Sequence, residues 1–204
     1  MKRAPDDLLG AHVSTQGGVA EAPARGNAIG ASAIQVFTKT PNQWRESMVR
    51  DADVAAFRAA LAASGIRAVV SHDSYLINLA SPDQPLRERS IAAFSGELVR
   101  CRTLGIPWVV SHPGNYIDDR AEGLARNARA YAQCLTAVAG EVGVLLEGTA
   151  GAGTALGSTF EELRALRDAL PPGLQRRVEF CLDTAPPASP WSTSSTAARH
   201  RLIR

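Results

Sequence analysis

The chain has 204 residues, of which 45% are hydrophobic, and a formal net charge of +2. This length and composition are enough for one domain with a buried core, and the small charge neither requires nor excludes a nucleic-acid partner. No run of about 20 apolar residues occurs, so we expect no membrane span. The N-terminus, Met1–Asp7, has no apolar signal segment, and the three cysteines are far apart. We therefore expect a cytoplasmic protein with reduced thiols.

Short apolar segments and helical periodicity alternate along the chain. The apolar segments predict six strands, at Leu8–Val13, Ala33–Phe37, Ala68–His72, Val109–His112, Val144–Glu147 and Val178–Asp183. The segments between them predict helices at about residues 17–29, 51–65, 86–104, 120–139 and 159–170. Pro23 lies inside the first helical segment, so that helix should start late or bend. This alternation predicts an α/β fold with a parallel sheet.

A (β/α)8 barrel of the TIM type is the architecture that this pattern favours, but the chain has only about six β/α units. A complete barrel typically needs about 250 residues. We therefore expect residues 8–185 to form a partial barrel domain.

The C-terminal segment differs from the rest of the chain. Residues 186–204 are dominated by Ser, Thr, Pro and Ala and follow neither the strand nor the helix period. One interpretation is a disordered tail. The interpretation that we favour is a shift of reading frame after Asp183 or Thr184, because the change begins at a strand end inside an unfinished barrel.

Four of the predicted strands end in a residue that can bind a metal. These residues are His72, His112, Glu147 and Asp183, separated by 40, 35 and 36 residues. Each spacing corresponds to one strand, one helix and two loops, so all four should lie at the carboxyl rim of the sheet. Imidazole and carboxylate together suit zinc, although Mn²⁺ accepts similar ligands. A single histidine would more simply be a hydrogen-bonded core residue, but four such groups at matching strand ends favour a metal site.

Other residues near this rim are candidates for supporting roles. His12 also ends a strand and could orient a metal ligand, although a structural role explains it equally well. Tyr75 and Leu76 follow His72 and could insert between base pairs or stack on a base, or could simply pack on their own domain. The glycine-rich loop Thr149–Gly157 could contact a phosphate, but it lacks the residues of a P-loop.

Several segments resemble one known family, the endonuclease IV family of zinc-dependent apurinic/apyrimidinic endonucleases. The matching words are Gly10-Ala11-His12-Val13-Ser14, Phe37-Thr38-Lys39, Gln43-Trp44, His72-Asp73-Ser74-Tyr75-Leu76-Ile77-Asn78-Leu79, His112-Pro113-Gly114, Glu147-Gly148-Thr149-Ala150-Gly151 and Leu182-Asp183-Thr184. They occur in order over about residues 8–185, and the word that begins at His72 is the most specific.

The resemblance implies a TIM barrel with up to three zinc ions, which acts in base-excision repair. The family hydrolyses the phosphodiester 5′ to an abasic site in double-stranded DNA and leaves a 3′-hydroxyl. By this resemblance His72 and His112 correspond to ligands of one zinc. Glu147 corresponds to the catalytic carboxylate that bridges this zinc to a second one, and Asp183 to a ligand of the second. Tyr75 and Leu76 correspond to the loop that enters the minor groove of the DNA. No obligate protein partner is indicated.

The chain departs from the family pattern at several positions. Pro186 stands where the family has a zinc-binding histidine, and the later family ligands have no counterpart here. Asn42 replaces a common DNA-probing arginine, and Gly148 replaces a common asparagine. We therefore expect one complete and one partial zinc site, with weak activity or none. The alternatives are a non-catalytic remnant that binds metal or DNA, and a sugar isomerase or epimerase on a similar barrel.

Overall fold

The computed structural model of the chain describes residues 8–182 and a short strand at 201–202. The described residues do not include Asp183 or Pro186. The boundary that we predicted between residues 185 and 186 also lies outside them. The metal-binding role of Asp183 and the division of the chain at that boundary therefore stay predictions.

The described strands form one sheet in the order β1-β2-β3-β4-β5-β6-β7. The strands are β1 Gly10–His12, β2 Ala33–Val36, β3 Ala68–His72, β4 Trp108–Ser111, β5 Gly143–Glu147, β6 Val178–Leu182 and β7 Arg201–Leu202. Strands β1 to β6 pair parallel to one another, whereas β7 pairs antiparallel with β6. The six parallel strands confirm the predicted α/β architecture. Strand β7 lies within the segment that we predicted to be irregular.

Helices connect the successive parallel strands from β1 to β6, as expected for β/α units. They are α1 Ala22–Ala28, α2 Asp51–Ala62, α3 Gln84–Leu104, α4 Arg120–Ala137, α5 Phe160–Asp168 and α6 Pro172–Gln175. A 3₁₀ turn at Val19–Glu21 precedes α1, so that helix starts late, with Pro23 in its first turn, as predicted. The short helix α6 was not predicted, because the last helical segment predicted from the sequence ends at about residue 170, before Pro171 and Pro172. Proline is also well tolerated in the first turn of a helix.

The helix boundaries have local causes. Asp83 and Asp119 cap α3 and α4 by accepting the backbone N–H of Leu86 and Glu122 at 3.0 and 2.9 Å. Gly105 ends α3 in the left-handed conformation, with φ of 81°. This conformation is unfavourable for residues with a Cβ atom, so a glycine is the usual terminator.

The two faces of the sheet bury different sets of side chains. One face packs against the helices in the main core, which includes Phe57, Phe94, Tyr131 and Leu146. The other face carries a smaller apolar layer made by Val70, Val110, Leu145 and Cys181. Because side chains alternate along a strand, a residue two positions beyond this layer points to the same side. His72, His112 and Glu147 occupy those positions, so the smaller layer lies directly beneath them.

Within residues 8–182, no helix is both long enough and apolar enough to cross a membrane. All three cysteines, Cys101, Cys134 and Cys181, are buried as free thiols.

Candidate metal centre

Three of the four predicted metal ligands converge at the carboxyl ends of β3, β4 and β5. The Nε2 atoms of His72 and His112 each lie 3.3 Å from Oε2 of Glu147. The candidate ligand atoms of the three residues lie within 4.8 Å of one another. These three side chains therefore lie close together, as the spacing of the strand ends in the sequence predicted. Its fourth predicted member, Asp183, follows the last residue of β6.

The ring orientation of His72 is set by its neighbour in sequence. Its Nδ1 atom lies 2.8 Å from the backbone carbonyl oxygen of Asp73, which can only accept a hydrogen bond. Nδ1 therefore carries a proton, and in the neutral imidazole the lone pair is on Nε2, which faces Glu147. Metal-binding histidines in proteins commonly have this arrangement, in which the second ring nitrogen donates to a carbonyl or a carboxylate.

The electrostatics of the cluster favour a positive charge between the side chains. Burial lowers the pKa of His72, but the hydrogen bond to Glu147 and the negative charges of Asp73 and Glu147 raise it, to about 9 overall. Burial raises the pKa of Asp73 to about 7, against the opposing effects of His72 and of the hydrogen bond from Ser111. Without a metal, the proton on His72 thus balances part of the buried negative charge.

The donor set fits a divalent metal ion. Two imidazole nitrogens and one carboxylate oxygen are ligands that zinc accepts in tetrahedral sites that keep one open position. Manganese and iron accept similar ligands, so these three residues do not fix the identity of the ion. The fit rests on the convergence of the three ligand atoms and on the orientation of His72.

Tyr75 lies on the rim beside this cluster. Its side chain is 61% exposed, and its ring contacts Phe37 and His72 at centroid distances of 5.3 and 5.8 Å. Leu76, the next residue, is half-buried. An exposed aromatic ring next to the cluster is compatible with contact with DNA, which stays a prediction.

Asn78 holds the loop that carries Tyr75 and Leu76. Its amide nitrogen donates to the carbonyl oxygen of Asn115, and its Oδ1 accepts the Asn115 N–H, both at 3.0 Å. Its own backbone N–H donates to Ser90 Oγ at 3.0 Å. A Cβ atom on Gly114 would lie 2.4 Å from Asn78 Oδ1, so only glycine fits at that position. The loop after β3 is therefore joined to the loop that follows His112.

His12 approaches the cluster through an aromatic neighbour. Its exposed ring packs on Phe37 at a centroid distance of 4.4 Å, and its Nδ1 lies 3.1 Å from Gln35 Nε2. Phe37 in turn contacts the His72 ring at 5.6 Å. A direct supporting role of His12 in metal binding stays a prediction.

The backbone amides at the end of the glycine-rich loop after β5 bind a carboxylate of the protein. The N–H groups of Gly157 and Ser158 donate to Oε2 of Glu162, at 2.6 and 3.0 Å. Arg120 donates to the other carboxylate oxygen at 2.8 Å. A carboxylate of the protein thus occupies the position at which an anion would contact these amides. The phosphate contact that we considered for this loop is not available at Gly157 and Ser158.

A second group of buried polar residues lies behind the β3 end and was missed in the sequence. Glu97 of α3 accepts hydrogen bonds from Ser71 at 2.5 Å and from Thr38 at 2.8 Å. Arg100 donates to Glu97 at 2.6 Å and also to Glu46 in the loop after β2. The available signal was a charged pair, Glu97 and Arg100, at helical spacing among the apolar positions Phe94, Leu98 and Cys101.

Comparison with known proteins agrees with this architecture. The family described as xylose isomerase-like TIM barrel matches residues 23–186. The probable endonuclease 4 of Geobacter sulfurreducens is 48% identical over 163 residues, which cover 79% of this chain and 55% of that protein. The probable endonuclease 4 of Chloroflexus aurantiacus is 46% identical over 178 residues, which cover 86% of this chain and 62% of that protein.

Solved structures give the same fold. Endonuclease IV from Thermus thermophilus superposes with a TM-score of 0.74 and 34% identity, over 87% of this chain and 63% of that one. D-psicose 3-epimerase from Clostridium cellulolyticum superposes with a TM-score of 0.67 over 87% of this chain and 64% of that one, but at 18% identity it shares the fold alone. The matched region spans 55% to 63% of the length of the three endonuclease relatives. By sequence and by fold, the chain belongs to the endonuclease IV family of xylose isomerase-like TIM barrels.

Proposed function

We propose that this chain carries the metal-binding part of a DNA-repair endonuclease that hydrolyses the phosphodiester 5′ to an abasic site in duplex DNA. The observation that carries the proposal is the convergence of two imidazole nitrogens and one carboxylate oxygen within 4.8 Å at one end of the sheet. The relatives named as endonucleases support the class of reaction, hydrolysis within a nucleic-acid strand.

His72, His112 and Glu147 would hold one zinc ion, and Mn²⁺ is the alternative ion. A bound divalent ion would supply positive charge to polarise the phosphate and to stabilise the oxygen that leaves it. Glu147 would act as the catalytic carboxylate, because its Oε2 lies between the two histidines. Asp183 would contribute to a second ion, since it continues the series of strand-end ligands by one β/α unit.

The residues around the ligands would hold the site rigid. The carbonyl of Asp73 accepts a hydrogen bond from Nδ1 of His72, so Nε2 would face a bound ion without rearrangement of the ring. This preorganisation matters because hydrolysis of a phosphodiester depends on positioning and electrostatic stabilisation rather than on covalent chemistry by the protein.

Tyr75 and Leu76 would recognise the DNA. Tyr75 is exposed at the rim, 5.8 Å from the His72 ring, so a residue that enters the minor groove there would bring the backbone of the DNA to the ligands. An abasic nucleotide leaves the helical stack more easily than a paired one, because no base pair has to be broken. Selectivity for the lesion would follow from this lower cost.

The first test measures zinc binding by the dialysed protein in competition with a chromophoric chelator. We expect tight binding by the wild type and by His200→Ala, a control histidine in the C-terminal segment, and loss of binding by Glu147→Gln. Equal zinc affinity in the wild type and Glu147→Gln would remove the proposed ligand set.

The second test incubates the zinc-loaded chain with a duplex that contains one abasic site, with the intact duplex, and with D-fructose. We expect cleavage only 5′ to the abasic site, at a low rate because Pro186 replaces a family ligand. If the chain bound the abasic duplex without cleaving it, the proposed recognition of DNA would stand and the proposed hydrolysis would be wrong. Epimerisation of the sugar without any effect on DNA would overturn it.

A further inference from the structure

Each histidine of the cluster follows a serine that is inaccessible to solvent. Ser71 precedes His72, Ser111 precedes His112, and both serines are 0% exposed. Side chains alternate along a strand, so these serines point away from the metal ligands, toward the helices. A buried hydroxyl requires hydrogen-bond partners there.

Ser111 connects two elements that carry ligands. Its Oγ donates to Oδ2 of Asp73 at 2.6 Å, and it accepts a hydrogen bond from the hydroxyl of Tyr131 at 2.8 Å. Tyr131 lies in α4 and is 0% exposed, and Asp73 is 3% exposed. The contact therefore runs from α4 through the end of β4 to the residue that follows His72.

Asp73 contacts His72 through two groups. The backbone carbonyl of Asp73 accepts from Nδ1 of His72 at 2.8 Å, and the carboxylate atom Oδ1 lies 3.6 Å from the same nitrogen. The backbone N–H of Asp73 donates to the carbonyl of Val110 at 3.0 Å. The orientation of the His72 ring thus depends on where Asp73 is held, and Asp73 is held by β4 and Ser111.

We propose that Tyr131, Ser111 and Asp73 form a chain of positioning residues that fixes the His72 ring and thereby strengthens metal binding at the cluster. The proposal rests on the proposed metal site and does not depend on the DNA substrate. Partners that orient a ligand typically change metal affinity by about 10–100-fold when they are removed. A purely structural network would change the stability of the fold and leave the affinity for metal unaltered.

The test compares zinc affinity with stability for Asp73→Asn, Ser111→Ala and Tyr131→Phe. We expect the zinc dissociation constant to rise about 10–100-fold in Asp73→Asn, about 10-fold in Ser111→Ala and less in Tyr131→Phe. Stability is measured separately, by urea unfolding with a chelator present. The absorption spectrum of bound Co²⁺ reports the ligand geometry directly, and we expect it to change in the same order.

Ser32→Ala is the matched control. Ser32 is a buried serine at the start of β2, and its Oγ accepts from the N–H of Leu9 at 3.0 Å, at the opposite end of the sheet. We expect this variant to lose stability and to keep the zinc affinity and Co²⁺ spectrum of the wild type.

The double variant Ser111→Ala, Tyr131→Phe tests whether the residues act as one chain. We expect its zinc affinity to match that of Ser111→Ala alone, because Tyr131 acts only through Ser111. If all variants lose stability as Ser32→Ala does but bind zinc like the wild type, the positioning role is wrong. If the wild type itself binds no zinc, the proposed metal site fails first, which separates the two failures.

Discussion

The ends of β3 and β4 share the residues Val-Val-Ser-His, yet the structure treats the two histidines differently. The side chain of His72 is 6% exposed and that of His112 is 45% exposed, although each Nε2 lies 3.3 Å from the same oxygen of Glu147. Identical strand ends therefore place both histidines at the same carboxylate. They do not give them the same surroundings.

The stagger of the sheet explains the difference in exposure. In the register of β3 and β4, His72 pairs with Val110, so His112 extends two residues further along its strand. Such a stagger is inherent to strands that tilt around a barrel axis. The loop after β3 then covers His72 with the ring of Tyr75. His72 should thus contribute to folding as well as to metal binding, and His112 mainly to metal binding.

The largest effect that we expect comes from Glu147, the point at which the two strand ends meet. Glu147→Ala removes the carboxylate next to both histidines, so the zinc dissociation constant should rise by more than about 100-fold, beyond the range for removal of an orienting partner. The measurement is chelator competition. Glu162→Gln serves as a control, since Glu162 is also a buried glutamate, but its carboxylate accepts the backbone N–H groups of Gly157 and Ser158. A similar loss of zinc affinity in both variants would contradict the assignment.

The two histidines should differ in the metal-free protein. His72→Ala removes the more deeply buried of the two imidazoles beside Glu147, and breaking a buried ion pair by removing one partner costs about 3–5 kcal/mol. His112→Ala removes a half-exposed contact, which is worth about 1 kcal/mol or less. Urea unfolding at pH 7 with a chelator present measures both values. Equal losses of unfolding free energy in the two variants would show that the different burial of the two histidines does not affect stability.

The pH dependence of stability should sharpen the same contrast. The pKa of His72 is raised from 6.5 to about 9, so its stabilising effect is complete below about pH 6.5 and is lost as the pH rises through 9. Between pH 7 and 10 the free energy of unfolding of the metal-free protein should fall by about 2–3 kcal/mol from this group, at about 1.4 kcal/mol for each pKa unit.

His72→Gln is the control for this titration, because it cannot gain or lose a proton in that range. The pKa of Asp73 is raised to about 7, so the contribution of Asp73 to the free energy of unfolding changes mainly below the range of pH 7 to 10. A decline of equal size in His72→Gln would assign the effect to other groups.

The sequence predicted that the side chains of His72, His112 and Glu147 lie close together, because their convergence depends only on the spacing of the strand ends along the chain. One β/α unit separates His72, His112 and Glu147, and parallel strands place their carboxyl ends at one rim. The Val-Val-Ser-His sequence is the same at both strand ends and gives no information about the stagger between β3 and β4. The burial of His72 could therefore not be predicted. Asp183 continues the same period but lies outside the described residues.

The polar contacts behind the ligands could be predicted only in part. Alternation along a strand indicates that Ser71 and Ser111 point toward the helices, but their partners lie 26 and 20 residues further along the chain, at Glu97 and Tyr131. Which helical residue reaches a given strand end depends on how the helix packs on the sheet. This packing is set by the whole core and by no local motif.

The smallest effect that we expect separates the two serines. Ser71 donates to Glu97, but Glu97 keeps Thr38 and Arg100 as donors, so Ser71→Ala should cost about 1 kcal/mol of stability, the value of one hydrogen bond. Since Glu97 lies on α3 and is not a neighbour of either histidine in sequence, zinc affinity should change by less than about 3-fold.

Ser111→Ala should cost a similar amount of stability and should also weaken zinc binding, because its partner Asp73 orients His72. The comparison requires both variants in one experiment, with urea unfolding and chelator competition measured on the same preparations. If Ser71→Ala weakened zinc binding as strongly as Ser111→Ala, the two strand ends would be equivalent in spite of their different burial. The orientation of His72 would then depend on the position of β3 as a whole.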